Sequence, residues 1–502
     1  MKKAAPPSDP AAPGESATTK APLVEVYGFL NSAIGLGGTA RTLVQALRTV
    51  GCPVRPIAVP LKGRARVDFT TEELPSSQPS PEAAVRILHL NPEHIPQLLP
   101  NLPADFFVNA RTVILPYWET EDIPDSAKAC APYFDEVWCT TRFLAQSFGK
   151  GLGLPVRVFP APLPFPENEG ADVGSRFDFE GRYLFLFSFD YYSCFKRKNP
   201  DGLCEAFTRA FPTQEPGGPI LVVKSSHAQE HLRQAMYLKA RFTSRADIIL
   251  IDEYLSESDR NALVSRCDAY VSLHRSEGLG MTILEAMAQG KPCIATAYSG
   301  NLDFTLPEHS YPIPFHKSAI GPGSIHYPED EEWAEPDLDA AASAMRECHA
   351  NQEAARSLGK KSLAWVREHH QFKTVGTVVL GLIRELVARP IDKVAKQAVL
   401  DELAVSRPFE PPSHNGAAYL SIRQAREYLK EVEALLDTLP KRHKSIADAC
   451  RRLAQTNKLL ASAISNSLKQ NKEMAARAER EMEIKEHYEN LLLKVMIDNM
   501  GK

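Results

Sequence analysis

The chain has no C-x-x-C pair, no apolar run of membrane length and no strong excess of either charge, and each absence removes a class of protein. Its nine cysteines (Cys52, Cys130, Cys139, Cys194, Cys204, Cys267, Cys293, Cys348 and Cys450) are odd in number and scattered through apolar segments. That usage points to reduced thiols and away from a disulfide scaffold or zinc ribbon. No stretch approaches the roughly 20 apolar residues of a membrane span, so membrane contact is expected to be peripheral at most, at the inner face. The opening MKKAAPPSDPAAPGESATTKAP has Pro, Ser and Gly where a secretory signal would be apolar. Residues 1–22 therefore read as a disordered arm on a cytoplasmic protein. A formal net charge of -4 supplies no global field for nucleic acid.

What is present is a globular composition, 44% hydrophobic and 24% charged, over 502 residues. That length predicts two or three domains. VEVYGFL (Val24 to Leu30) reads as a strand, and GTARTLVQALRTVG after it has helical spacing with Gly51 as the stop signal. VRPIAV, ARTVILPYW and DEVWCT continue the strand series, with amphipathic stretches such as RFLAQSFGK between them. Strands alternating with helices predict a parallel sheet covered on both faces.

The Pro- and Gly-dense text from Pro160 to Gly181 can continue neither period and marks a hinge. A second alternating series then runs from YLFLFSF to PCIATA. The fold expected is α/β, two doubly wound Rossmann-like domains facing a cleft, at 23–170 and 171–403, with the helices of Asp337 to Arg389 closing the second domain. Residues 405–416 form another break. Beyond it Ile422, Leu429, Val432, Leu436 and Leu439, then Ile446, Cys450, Leu453, Leu460 and Ile464, define apolar helical stripes. A coiled-coil-like extension over 417–500 is expected to bind a second copy or a partner protein, the alternative being that it folds back on the domains.

The densest segment is AYVSLHRSEGLGMTILEAMAQGKPCIATAYSGNLDF, Ala269 to Phe304. Its order of strand, glycine turn and helix brings free backbone N–H groups and a positive helix end to the carboxyl edge of a parallel sheet, an arrangement suited to a pyrophosphate. Glu277 lies in the turn and Glu285 five residues beyond Gly280, so one carboxylate can lie over a sugar while the other accepts from a ribose. A plainer reading makes Glu277 a cap and Glu285 a solvated charge. Against it stand the two glutamates eight apart, the S-E-G-x-G turn, the L-E-A-M-A-x-G-K-P-x-I-A-T helix and strand, and the following S-G-N-x-D. Together these resemble the donor-site signature of GT-B glycosyltransferases of the family-four type.

The resemblance extends from about Val24 to Ala388. YGFLNSAIGLGGTARTLVQAL looks like the family's opening strand, glycine loop and helix, with Gly35, Gly37 and Gly38 allowing close backbone approach. LPYWETEDIP and FDEVWCTTRFLAQSF resemble its W-E pair and D-E-x-W strand. FSFDYYSCFKRKNPDGLCEAF resembles its basic R-K-N element. Carried over residue by residue, Lys198 matches the phosphate-binding lysine, and Arg197 is expected to share that role. Many members carry a G-R pair where this chain has Ser188, Phe189 and Asp190, so Lys224 at the same sheet edge stands as a replacement cation. Gly278, Leu279, Gly280, Met281 and Thr282 would supply the turn and helix start to the donor. His274 is either a sugar contact or a satisfied buried imidazole.

The resemblance implies a retaining glycosyltransferase moving a hexose from a GDP- or UDP-sugar to a glycan or lipid-linked acceptor in bacterial surface polysaccharide assembly. Glu277 would orient the sugar while Lys198 stabilises the leaving diphosphate. The donor segment has no Asp-x-Asp motif, and metal-independent transfer without a cofactor is expected. Glu119 and His94, after first-domain strands, are acceptor-side candidates that act as bases or merely pack and cap. Two other functions fit the same residues: a nucleotide-sugar epimerase or hydrolase, and an inactive scaffold acting through its C-terminal helices.

Overall fold

The computed structural model describes residues 21–406 apart from 62–66, 68, 75–76, 104, 166–178, 323 and 325–326. The extension expected over 417–500, residues 1–20 of the arm expected over 1–22, and most of the hinge text lie outside the described residues. Chain order in the first domain is β1 (Leu23–Gly28), α1 (Gly35–Thr49), β2 (Val54–Ala58), β3 (Glu72–Glu73), β4 (Ala83–His89), α2 (Ile95–Leu98), β5 (Arg111–Ile114), α3 (Asp125–Lys128), β6 (Glu136–Cys139), α4 (Arg142–Leu152) and β7 (Val156–Val158). Its seven strands are all parallel, ordered β3-β2-β1-β4-β5-β6-β7. Neighbours β2 and β4 flank β1, so the order reverses there and opens a crevice at the carboxyl ends.

The second domain repeats the plan with β8 (Leu184–Asp190), α5 (Phe195–Lys198), α6 (Pro200–Ala210), β9 (Ile220–Ser226), α7 (Leu232–Arg241), β10 (Ile248–Asp252), α8 (Glu257–Arg266), β11 (Ala269–Ser272), α9 (Met281–Met287), β12 (Cys293–Thr296) and β13 (Tyr311–Ile313). These strands are also parallel, in the order β10-β9-β8-β11-β12-β13. The near-continuous apolar text of β8 and β9 follows from burial on both faces: Leu184 to Phe187 and Ile220 to Val223 are essentially inaccessible. The order reverses at β8, between β9 and β11. The chain is thus two doubly wound Rossmann-like α/β domains, the GT-B arrangement.

Two features depart from the sequence-level expectation. An antiparallel hairpin, β14 (Phe315–Ala319) with β15 (Glu332–Pro336), leaves the second domain, and its Ile320, Tyr327, Trp333 and Ala334 join a first-domain core cluster around Trp118 and Ile123. The closing helices α10 (Leu338–Ala350), α11 (Gln352–His370), α12 (Phe372–Ala388) and α13 (Lys393–Ser406) also divide. Tyr183 of the second domain donates to Cys348 O of α10 at 3.2 Å. Helix α12 instead buries Val375, Val379, Ile383 and Leu386 with Leu43, Val44 and Leu47 of α1 in the first domain. A Cβ at Gly376 would lie 2.2 Å from Ala46 O, so glycine permits this crossing at close range. Lys396 of α13 adds a bond to Asp135 at 2.7 Å. Among the described residues no helix is long and apolar enough to cross a membrane.

Candidate active site

The basic segment after β8 is held against the turn after β11 by its own backbone. Asn199, at φ 55°, breaks the chain between α5 and α6; its Oδ1 accepts from Gly202 N at 3.2 Å and its Nδ2 donates to Leu273 O at 2.8 Å. Arg275 N donates to Arg197 O at 2.8 Å, and Arg275 Nη1 to Lys196 O at 2.5 Å. The K-N-P text therefore reads as a fixed bend that sets Arg197 and Lys198 over the turn.

Glu277 receives both cations. Lys198 Nζ donates to Oε1 at 2.5 Å, and Arg197 Nη1 lies 3.3 Å from Oε2. The Glu277 backbone is gripped by the S-G-N segment: its N–H donates to Ser299 Oγ at 2.8 Å, and its carbonyl accepts from Gly300 N at 2.8 Å. Only glycine fits at 300, because a Cβ there would stand 2.1 Å from Gly278 O. Burial pushes the Glu277 carboxyl up, but the Lys198 and Arg197 cations outweigh it and hold it at about 2. Both ring nitrogens of His274 are occupied, Nδ1 by Ser272 Oγ at 3.0 Å and Nε2 by Asn301 Oδ1 at 2.9 Å. Complete burial lowers its pKa, which makes it a neutral wedge between β11 and the S-G-N segment.

The turn Gly278-Leu279-Gly280 leads into α9 at Met281, behind Gly280 at φ +89° and with no side-chain cap. Thr282 lies in the first turn of α9, and the buried Tyr270 hydroxyl accepts from Ser188 N at 3.2 Å. Glu285, one turn on, is about a quarter exposed; burial raises its pKa, and Arg260 Nη2 of α8 opposes that from 3.8 Å. Lys224 lies inside β9, in register with Ser188 and Ile251, and is buried. Burial and then Arg260 lower its pKa. Asp190, where the resemblance has an arginine in many members, is occupied as an acceptor from Tyr192 N at 2.9 Å and paired with His227 Nδ1 at 3.0 Å.

The first domain closes over this edge. Thr141 Oγ1, at the head of α4, donates to Gly278 O at 2.9 Å, and Arg142 N donates to Asp303 Oδ2 at 2.7 Å. The glycine loop opens α1 with no side-chain cap at Ile34. Gly37 is required by its own turn, since a Cβ there would lie 2.5 Å from Phe29 O, whereas Gly35 faces open space. A Cβ at Gly38 would meet Met281 Cε at 3.9 Å, so the loop and the start of α9 face one another. Glu119 lies across the cleft with Oε1 3.5 Å from Arg197 Nη2 and Oε2 accepting from Tyr327 OH at 2.7 Å. His94 sits edge-on to Phe29 with ring centroids 4.9 Å apart, and burial lowers its pKa.

The structure therefore brings together Glu277, Lys198, Arg197, Glu119 and His274, and it sets Glu285 against Arg260, whose charge is also felt by Lys224. His94 stands apart near the base of the glycine loop. Arg260 and Tyr327 carry no motif and were not legible in the sequence; only their folding onto the cleft reveals them. Arg197 points to carboxylates and to Ser276 O at 2.8 Å, so its side chain is committed inside the fold. Among the described residues no three or more His, Cys, Asp and Glu side chains are grouped to hold a metal ion.

Residues 189–310 match the family model described as Glycosyl transferases group 1. The chain carries a glycosyltransferase domain. That segment runs from the end of β8 through the S-G-N grip, so it contains Lys198, Glu277 and Glu285, and the chain is a transferase enzyme of GT-B architecture. Among solved structures, sucrose-phosphate synthase from Thermosynechococcus elongatus is similar at 16% identity and TM-score 0.55, over 73% of this chain and 99% of that one. HepE from Anabaena, solved with UDP and glucose, is similar at 10% identity and TM-score 0.53, over 72% and 99%. A glycosyltransferase from Rickettsia africae gives 14% identity and TM-score 0.51, over 74% and 100%. At these identities the likeness is one of fold. Comparison with curated protein sequences finds no match.

Proposed function

We propose that the chain is a retaining glycosyltransferase of the family-four type, moving a hexose from a UDP- or GDP-sugar to a glycan or lipid-linked acceptor in bacterial surface polysaccharide assembly. The observation that carries this reading is the pairing of Lys198 with the buried Glu277 at the switch point of the second sheet, beside an α9 start that faces the glycine loop of the first. In the reaction the bond between the sugar C1 and the β-phosphate oxygen breaks, the acceptor oxygen bonds to C1 from the same face, and the acceptor's hydroxyl proton passes to the departing phosphate oxygen. The departing diphosphate gains charge, which Lys198 Nζ and the amides at the start of α9 stabilise. Glu277, ionised throughout the neutral range, orients the sugar hydroxyls, and Glu285 accepts from the ribose. Lys224 and Arg260 supply the cation that Asp190 does not. No metal or cofactor enters this scheme, and acceptors held at a membrane surface are reached by peripheral contact.

Thermal stabilisation by a panel of UDP- and GDP-sugars tests the reading, because a ligand bound only by the native state raises apparent stability. One nucleotide series should stabilise the protein, and NMR of the transferred sugar should show the donor's anomeric configuration. An inverted product would refute retention. Free or epimerised sugar formed without acceptor would favour hydrolase or epimerase chemistry.

A further inference from the structure

Arg197 and Lys198 are neighbours in sequence and both reach Glu277, but their surroundings differ. Lys198 ends at one atom, Glu277 Oε1, with about a seventh of its side chain exposed to the cleft. Arg197 is buried among fixed acceptors on both sides of the cleft: Nη1 donates to Ser276 O at 2.8 Å and lies 3.3 Å from Glu277 Oε2, while Nη2 lies 3.5 Å from Glu119 Oε1. Tyr327 OH holds the other Glu119 oxygen at 2.7 Å, and Tyr327 in turn packs edge-on to Trp118 with centroids 5.4 Å apart. The guanidinium is thereby tied to β11's turn, to the first domain and to the β14–β15 hairpin at once.

We propose that Arg197 is a positioning residue, the permanent counterion of Glu277, and that it keeps this carboxylate ionised and oriented when Lys198 leaves it for the donor diphosphate. The inference rests on the donor-site reading above. A planar guanidinium can serve Glu277 and Glu119 together, whereas an ammonium reaching Glu277 alone can be redirected by rotation about its stem. Stripped of both cations, a carboxylate as buried as Glu277 would take up a proton, and the groups facing it show which one prevents that. Lys198 and Arg197 come from α5; His274 at the end of β11 is neutral, with both nitrogens engaged; Ser299 and Asn301 on the S-G-N segment carry no charge; Glu119 and Tyr327 stand beyond Arg197. Once Lys198 has turned to phosphate, Arg197 is the remaining cation against Glu277 among the described residues.

The test separates the two cations by what each variant loses. For wild type, Arg197→Gln, Arg197→Lys and Lys198→Gln, we would measure UDP and GDP affinity by calorimetry and the pH profile of kcat at saturating donor, which titrates groups in the donor complex. Arg197→Gln should keep nucleotide affinity within about threefold of wild type while its acid limb moves up by at least about one pH unit, and Arg197→Lys should return the limb toward wild type. Lys198→Gln should lose at least about tenfold in nucleotide affinity with its acid limb in place. Loss of nucleotide affinity in Arg197→Gln with an unmoved limb would make Arg197 a phosphate ligand and overturn the proposal. A variant that loses rate equally at every pH, without rescue by lysine, would show a merely structural role and overturn it too. Should Arg197→Gln fail to fold, an acid limb that moves up in Lys198→Gln would still contradict it. Wild type that binds neither UDP nor GDP would sink the donor-site reading itself, an outcome distinct from all of these.

Discussion

Lys198 Nζ and Glu277 Oε1 stand 2.5 Å apart, so the cation suited to a leaving diphosphate and the carboxylate suited to a sugar satisfy each other until a donor separates them. The arrangement keeps the buried Glu277 carboxylate paired with a partly buried cation in the free enzyme, where the carboxylate alone would be destabilising.

Glu277 ties stability to pH. Its pKa of about 2 in the fold lies below the ordinary 4.5, so its contribution is present above pH 4.5 and is lost as pH falls toward 2. A shift of that size is worth on the order of 3 kcal/mol. Glu277→Gln should unfold more easily than wild type at pH 7, because Arg197 and Lys198 lose their carboxylate, and denaturant melts should show a smaller loss between pH 5 and 2.5. Equal losses in the two proteins would place the acid-labile group elsewhere.

Glu285 behaves in the opposite sense. Burial raises its pKa above 4.5, so it is among the first donor-site carboxylates to protonate on acidification. Nucleotide affinity should fall as pH drops through that raised value, and Glu285→Ala should weaken binding at neutral pH and flatten the dependence while Tm stays near wild type. Unchanged nucleotide affinity in Glu285→Ala would remove the residue from the site.

The glycines divide by what a side chain would meet. Gly300→Ala and Gly37→Ala force a Cβ to 2.1 Å from Gly278 O and 2.5 Å from Phe29 O, whereas Gly35→Ala meets open space. The first two should lose about 1–3 kcal/mol or more of stability, with Gly300→Ala also losing activity because it displaces the Glu277 backbone. Gly35→Ala should melt like wild type. Equal melting of all three would contradict the packing described for the loop and turn.

Much of this was legible in the sequence. The strand at Val24, the helix stopped by Gly51 and the second alternating series all appear, because period and stop signals are local. The glutamate pair, the turn and the basic R-K-N element were readable for the same reason. Direction was not: adjacency in K-R-K-N cannot show that Arg197 turns inward to Glu119 while Lys198 faces the cleft. Nor does local text show that α12 crosses back to α1, that the hairpin carries Tyr327 onto Trp118, or that Arg260 reaches Glu285, since each depends on contacts between distant segments.

Residues beyond Ser406 carry the apolar stripes expected to join chains. A chain ending at Ser406 should bind nucleotide as the full protein does and scatter light as a monomer, while the full chain should have at least twice that mass. Full-length protein that is monomeric at micromolar concentration would rule out self-association.

Calorimetry of UDP and GDP with wild type and Lys198→Ala tests the donor site most directly. A charge-assisted hydrogen bond of this kind contributes about 1.5–3 kcal/mol, so one nucleotide should bind wild type saturably and lose at least about tenfold in affinity in the variant. Equal affinity in the two proteins, or no binding of either nucleotide to wild type, would contradict it.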